Sequence, residues 1–228
     1  MKILIAGASG GIGKFLAEKF SDKGFQVYGT YNSHPPMKDL AYKMTKVDVT
    51  QESDIESWIN TVTNSSDKLC LIYSAGINYN CFSHKAEMNK WIEVIKVNLI
   101  GAQFVLKHIL PTMRINKFGR IILFSSIVPQ IGVAGTSAYS ASKAGLWGLC
   151  KAVALENAVY SVTINAINLG YFEIGMIKDV PPEYLDKIID TIPMKKLGDP
   201  ENILRTVEYL MNTDYITGCQ INLNGGLY

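Results

Sequence analysis

The first thirteen residues constrain the fold more tightly than any other stretch. Residues 3–6 are a short, wholly apolar run, the pattern of a strand buried on both faces of a parallel sheet. That run passes directly into Gly7-Ala8-Ser9-Gly10-Gly11-Ile12-Gly13, after which Phe15, Leu16, Lys19 and Phe20 fall at helical spacing. Strand, glycine-rich turn and helix in immediate succession make the arrangement that binds a dinucleotide. Glycine lets the backbone turn sharply and approach a pyrophosphate closely, and the helix N-terminus meets the phosphate charge.

The rest of the chain continues the alternation. Strands are expected at 25–31, 46–50, 69–73, 121–124, 163–168 and 220–223, from apolar runs bounded by Gly, Pro and polar turns. Helices are expected at 51–64, 97–113, 138–159 and from Asp199 to about Met211, where Pro200 occupies a first helical turn. With 228 residues, no internal repeat and no long linker, the expectation is an α/β fold in one domain spanning 1–228. It is a Rossmann-type, doubly wound parallel sheet of about seven strands, with helices on both faces and right-handed crossovers. The second strand ends Thr30-Tyr31-Asn32-Ser33-His34 with no Asp or Glu. An acid there would bond the ribose hydroxyls of NAD, so its absence leans towards NADP(H) over NAD(H). Lys14, His34 and Lys38 are the candidate partners for a 2′-phosphate.

The chemistry concentrates between residues 119 and 151. A strand ends in Ser125-Ser126, and Tyr139-Ser140-Ala141-Ser142-Lys143 follows after a turn-rich loop. Tyr139 and Lys143 are four residues apart, which places both on one helix face. A free phenol titrates near pH 10, and a neighbouring ammonium favours the phenolate and draws that value down. Ser126, at the end of the adjacent strand, is placed to hold a substrate oxygen beside the phenol. A Tyr–Lys pair at this spacing is by itself an ordinary surface feature, so the surrounding motifs carry the reading.

Charge and cysteine usage exclude other classes. The net charge is +2, and no run of basic residues exceeds the two of Lys195-Lys196, which does not suit a nucleic-acid or polybasic membrane role. Cys70, Cys81, Cys150 and Cys219 are widely spaced, with no C-x-x-C and no paired His spacing. They read as buried thiols in a reducing compartment rather than a metal site or disulfide framework. His108 lies on a packing stripe, and nothing singles out His84. The apolar start breaks into glycine too early for a signal peptide. No segment is expected to reach bilayer length, and a cytoplasmic location is expected.

Taken together, these residues resemble the short-chain dehydrogenase/reductase family along nearly the whole chain. Gly7 to Gly13 is similar to the family's cofactor loop, Asp48-Val49 to its adenine-side pair, and Ser74-Ala75-Gly76 to its N-N-A-G motif. Asn98, Ser126, Tyr139 and Lys143 fall on the family's four catalytic positions. The resemblance implies hydride transfer between NADP(H) and a carbonyl. Tyr139 would donate the proton, Ser126 would hold the oxygen, and Lys143 would tune the phenol and bond the nicotinamide ribose. Asn98 would hold a water linking Lys143 to solvent. Implied cofactor contacts are Gly7, Ser9, Gly10, Gly11, Ile12, Gly13, Tyr31, Asn32, Ser33, Asp48, Val49, Ser74, Ala75, Gly76, Tyr139, Lys143, Gly170 and Phe172; no metal is implied. Within the family, residues 192–201 and the terminal Thr217-Gly218 and Gly225-Gly226 look most like the β-ketoacyl-acyl-carrier-protein and acetoacetyl-CoA reductases. The chain departs from the family pattern at Tyr73-Ser74, at Leu169, and at Ile174-Gly175, where a Thr is expected.

The substrate loops are expected at 77–90 and 171–195. Their Tyr79, Phe82, Tyr171, Phe172, Met176 and Tyr184 favour an apolar or acyl substrate, and the resemblance implies a 3-oxoacyl thioester carried on acyl carrier protein or CoA. A short, open lid is expected at 176–195, with Lys178, Lys187, Lys195 and Lys196 as a basic rim. Reaction with a sugar, polyol or other small alcohol is the alternative, and a catalytically silent nucleotide-binding scaffold is the alternative from another class. The resemblance also implies a homo-oligomer, tetramer or dimer, with Ser140, Ala144, Gly148 and Ala152 making a smooth helix face.

Overall fold

The computed structural model describes residues 1–35, 40 and 42–228. Its strands are β1 (Lys2–Ala6), β2 (Gln26–Tyr31), β3 (Lys43–Lys46), β4 (Leu69–Tyr73), β5 (Gly119–Ser126), β6 (Val162–Leu169) and β7 (Gln220–Leu223). All pair in parallel in the order β3-β2-β1-β4-β5-β6-β7. The order reverses direction between β1 and β4, and the crevice at the carboxyl ends of those two strands is where such sheets bind ligands.

The helices are α1 (Gly11–Asp22), α2 (Glu52–Val62), α3 (Met88–Ile95), α4 (Gly101–Ile115), α5 (Val128–Ile131), α6 (Ser137–Asn157), α7 (Pro182–Thr191) and α8 (Pro200–Asn212). Alternation along each strand divides the core in two. Leu4, Leu69, Leu71, Ile121, Leu123 and Ile164 face α2, α4 and α6. Ile3, Ile5, Cys70, Ile72, Ile122 and Phe124 face α1 and α8 on the other side. β4 and β5 are buried along their whole length, which is why they read as continuous apolar runs. Each fully buried Leu or Ile contributes roughly 1.5–3 kcal/mol by leaving water.

Three expectations are corrected. The third strand is Lys43–Lys46 rather than 46–50. Asp48 ends the strand reading because its carboxylate accepts from the Thr50 amide (2.9 Å) and hydroxyl (2.8 Å), which curls the chain into a turn. The helix expected at 97–113 begins at Met88, and a π turn at Lys96–Ile100 joins α3 to α4. The stretch 171–195 is no simple loop: it holds a 3₁₀ turn at Gly175–Asp179 and the exposed, amphipathic α7.

Met88–Ile115 is also long and apolar enough to cross a bilayer by length and composition, although no such segment was expected. It packs against α6 through Val94 and into the sheet through Ala102, Val105, Leu106, Ile109 and Met113, and presents Lys96, Lys107 and Arg114 elsewhere on its surface, as the core helix of a globular fold does.

Candidate active site

The glycine-rich loop is shaped by close backbone approaches. Gly7 has φ +83°, and a Cβ there would stand 2.6 Å from the backbone of Ala75. A Cβ on Gly13 would lie 2.0 Å from the Gly7 carbonyl oxygen. Thr30, at the end of β2, fixes the loop from the other side: its hydroxyl accepts from the Gly7 amide (3.0 Å) and its carbonyl from the Ala8 amide (2.8 Å). Gly10 precedes α1 without a side-chain cap, and a Cβ on it would meet nothing within 4 Å among the described residues. The start of α1 therefore presents uncapped amides to open space at the sheet's switch point, and these residues fit a dinucleotide pyrophosphate.

At the adenine side, Asn32, Asp48 and Val97 line one surface cleft with Thr50, Asn89 and Ile92. Asn32 and Ser33 are exposed, and Ser33 Oγ lies 3.1 Å from His34 Nδ1. Lys14 reaches Glu18 at 3.8 Å along α1, and Lys38 lies outside the described residues. Val49 is buried in the core. The Phe172 ring is buried as well and packs on Gly198, where an added Cβ would touch it at 2.5 Å. The side chains of Val49 and Phe172 thus serve packing, and their backbones remain to face a ligand.

The four residues singled out for chemistry converge at the carboxyl ends of β4 and β5. Ser126 closes β5, and its hydroxyl accepts from the Val128 amide at 3.2 Å. Tyr139, in the first turn of α6, lies within the electrostatic reach of the same Ser126 hydroxyl. Lys143, one turn further, sends its ammonium under the phenol, 5.6 Å from the ring centroid, and donates to the Phe124 carbonyl at 2.8 Å. Ser125 ties α6 to β5 by donating to the Lys143 carbonyl at 2.9 Å.

Asn98 is wholly buried in the π turn. Its oxygen accepts from the Ile77 amide (2.8 Å), and its nitrogen donates to the Ile77 carbonyl and to Ser142 Oγ (3.0 Å each). Ser142 in turn donates to the Tyr139 carbonyl at 2.7 Å. An atom at the Cβ position of Gly76 would lie 3.5 Å from both Asn98 Oδ1 and Lys143 Nζ. The space over Gly76 is thus shared by the amide and the ammonium.

Burial governs the titration of this pair. Lys143 is 6% exposed, and desolvation lowers its pKa from 10.5 to about 8. Burial also pushes the Tyr139 phenol above its ordinary value, with the Ser126 hydroxyl drawing it back in part. The expectation that Lys143 would pull the phenol down is not met in the folded chain: desolvation of the phenolate sets the direction. The phenol therefore carries its proton at neutral pH.

The segment after β6 lies against the glycine-rich loop and the strand β7. Gly11 (φ +50°) and Gly175 (φ +76°) meet backbone to backbone, and a Cβ on Gly11 would stand 3.3 Å from Gly175 Cα. The turn at Gly175–Asp179 therefore begins beside the first residue of α1, one residue after Ile174, where the Thr is expected. Gly170 donates to the Leu223 carbonyl at 2.9 Å and lies against Asn224. Reasoning from the sequence missed Ser142, Ile77 and the Phe124 carbonyl. Ser142 sits three residues from Tyr139 on α6, a visible signal, but backbone partners leave none.

With this geometry in place, comparison with known proteins decides the family. The family model described as enoyl-(acyl carrier protein) reductase matches residues 7–228. The chain belongs to the short-chain dehydrogenase/reductase family. It is 32% identical over 234 residues to the 3-oxoacyl-[acyl-carrier-protein] reductase FabG of Haemophilus influenzae, covering 99% of this chain and 97% of that one. It is 35% identical over 237 residues to an acetoacetyl-CoA reductase of Rhizobium meliloti, with 99% and 97% covered. Among solved structures of the family, the ligand-free aldohexose dehydrogenase of Thermoplasma acidophilum superposes with a TM-score of 0.90 at 28% identity, covering 99% of this chain and 93% of that one. Like its relatives, the chain is an NAD(P)-dependent oxidoreductase acting on CH–OH and C=O groups.

Proposed function

We propose that the protein is an NADP(H)-dependent reductase of 3-oxoacyl thioesters, carried on acyl carrier protein or CoA, yielding the 3-hydroxyacyl product. The observation that carries the reading is the buried Tyr139–Lys143 pair with Ser126 at its side, beside an uncapped glycine-rich helix start. The names of the two reductase relatives favour an acyl thioester. A carboxylate-free β2 end, with Ser33 and His34 at the surface, favours a 2′-phosphate.

A nicotinamide cofactor bound along Gly7–Gly13 supplies the hydride. In this reading the chain's own groups do the rest. Ser126 and Tyr139 hold the carbonyl oxygen, and Tyr139 passes its proton to that oxygen as charge develops. Lys143 then returns a proton to Tyr139. Its pKa near 8 leaves it charged at neutral pH yet able to give the proton up. A water over Gly76, between Asn98 Oδ1 and Lys143 Nζ, resupplies Lys143 from solvent. Exposed Lys178, Lys187, Lys195 and Lys196 provide cations near the mouth for an acidic carrier, interleaved with Glu183, Asp186 and Asp190. Gly148 and Ala152 are exposed on α6, and Gly148 has nothing within 4 Å among the described residues. That smooth face is open to a second copy of the chain, in keeping with a homo-oligomer.

A second reading, oxidation of a sugar or related alcohol with NAD, is favoured by the superposition on an aldohexose dehydrogenase. Titration with NADPH and NADH, followed by acetoacetyl-CoA or an aldohexose, separates the two. Consumption of NADPH with acetoacetyl-CoA supports the reductase. Reduction of NAD by the sugar supports the second reading, and tight cofactor binding with neither reaction overturns both substrate assignments. Failure to bind either cofactor would favour the silent scaffold.

A further inference from the structure

We propose that Tyr73 is a positioning residue: its phenol holds the π turn at the pitch that seats Asn98 on Ile77 and Ser142. The kinetic part of this proposal rests on the function proposed above. Tyr73 ends β4 and is 1% exposed. Its hydroxyl donates to the Val97 carbonyl, one residue before Asn98, at 2.5 Å. Burial raises its pKa far above the ordinary phenol range, so it stays a donor.

A π turn needs such a donor. The Gly101 amide reaches back five residues to the Lys96 carbonyl, and the extra residue in the turn leaves backbone carbonyls crowded or short of partners. Tyr73 satisfies one of them from outside the helix. Gly101 is the complementary feature, since a Cβ there would stand 2.5 Å from the Tyr73 hydroxyl and 2.9 Å from the Val49 carbonyl oxygen. A tyrosine at the end of β4 and a glycine at the start of α4 therefore fit one another across the bulge. If the turn relaxed to α pitch, a one-residue slip would swing Asn98 by about 100° around the helix axis. It would leave Ile77, and the chain of bonds from Asn98 through Ser142 to the Tyr139 carbonyl would break. A departure from the family pattern is thus a local solution to holding the same asparagine.

The test is Tyr73→Phe in the full chain, which keeps the ring and removes only the donor. Amide hydrogen exchange at Ile77 should speed by roughly tenfold, the loss expected for one buried hydrogen bond. With acetoacetyl-CoA and NADPH, kcat should fall by a similar factor while KM and the NADPH dissociation constant stay within about twofold. In an Asn98→Ala background, Tyr73→Phe should cost no further kcat, because both act through one group. Gly101→Ala, which crowds the same hydroxyl from the helix side, should also speed Ile77 exchange. Unchanged Ile77 exchange in both variants, or full additivity with Asn98→Ala, would overturn the proposal. If the wild type does not turn over acetoacetyl-CoA, the function reading fails, and exchange at Ile77 still decides the role of Tyr73.

Discussion

Lys143→Met should make the folded protein more stable at neutral pH while removing the proposed proton relay. The Lys143 ammonium is buried against the Phe124 carbonyl, and desolvation lowers its pKa from 10.5 to about 8. That depression corresponds to about 3 kcal/mol of destabilisation whenever the side chain is charged in both folded and unfolded states. Methionine fills similar space without charge, but loses the hydrogen bond to Phe124, which offsets about 1 kcal/mol. The net gain at pH 7 is about 2 kcal/mol.

The pH dependence gives the sign. Below pH 8 lysine is protonated in both states, so the penalty is fully present and the methionine variant leads. Between pH 8 and 10.5 the unfolded chain holds the proton and the folded one does not, so wild-type stability rises with pH. Above 10.5 both states are neutral, the penalty is gone, and wild type is ahead by its hydrogen bond. Urea unfolding of both proteins at pH 7 and pH 10 reads this directly, with a midpoint difference of about 1 M at pH 7 that shrinks at pH 10. Groups that titrate in both proteins cancel in the difference. A variant no more stable than wild type at pH 7, or a gap that does not narrow with pH, would refute the desolvation reasoning.

Three other substitutions probe the site. Tyr139→Phe should abolish turnover while leaving the cofactor dissociation constant within a few fold; single-turnover assays and fluorescence titration check both, and retained turnover sinks the proton-donor role. Ile174→Thr restores a hydroxyl beside Gly175 and should tighten nicotinamide cofactor binding; an unchanged dissociation constant would show that the backbone already supplies the contact. Gly13→Ala places a methyl 2.0 Å from the Gly7 carbonyl oxygen and should abolish cofactor binding and lower the melting temperature; wild-type affinity in that variant would mean the loop adjusts freely.

The sequence was legible where a residue's role follows from its own chain neighbours. The strand, glycine turn and helix at the N-terminus, the buried runs of β4 and β5, and the Tyr139–Lys143 spacing are local patterns, and all appear where expected. The misreadings have separate origins. Lys46 to Thr50 alternates like a strand, but Asp48 binds Thr50 and turns the chain. Helix periodicity was visible from Val97 onward, yet the π turn shifts the phase between α3 and α4 and hid the helix's first two turns. Segment 171–195 carries α7, whose Leu185, Ile188 and Ile189 stand at helical spacing although no described residue of the helix is buried, and the loop reading passed over that pattern.

What the chain determines by itself is the order of elements and the placement of Ser126, Tyr139 and Lys143 at element ends, because apolar periodicity and glycine are written residue by residue. What only the tertiary structure decided is the electrostatic character of that site and the company Asn98 keeps. The Tyr139 phenol rises rather than falls because the packed structure buries it and desolvates the phenolate. Tyr73, which the sequence offered only as a missing asparagine, reaches the Val97 carbonyl from a neighbouring strand. A hydrogen bond between residues 24 positions apart, made to a backbone oxygen, leaves no trace in either residue's identity.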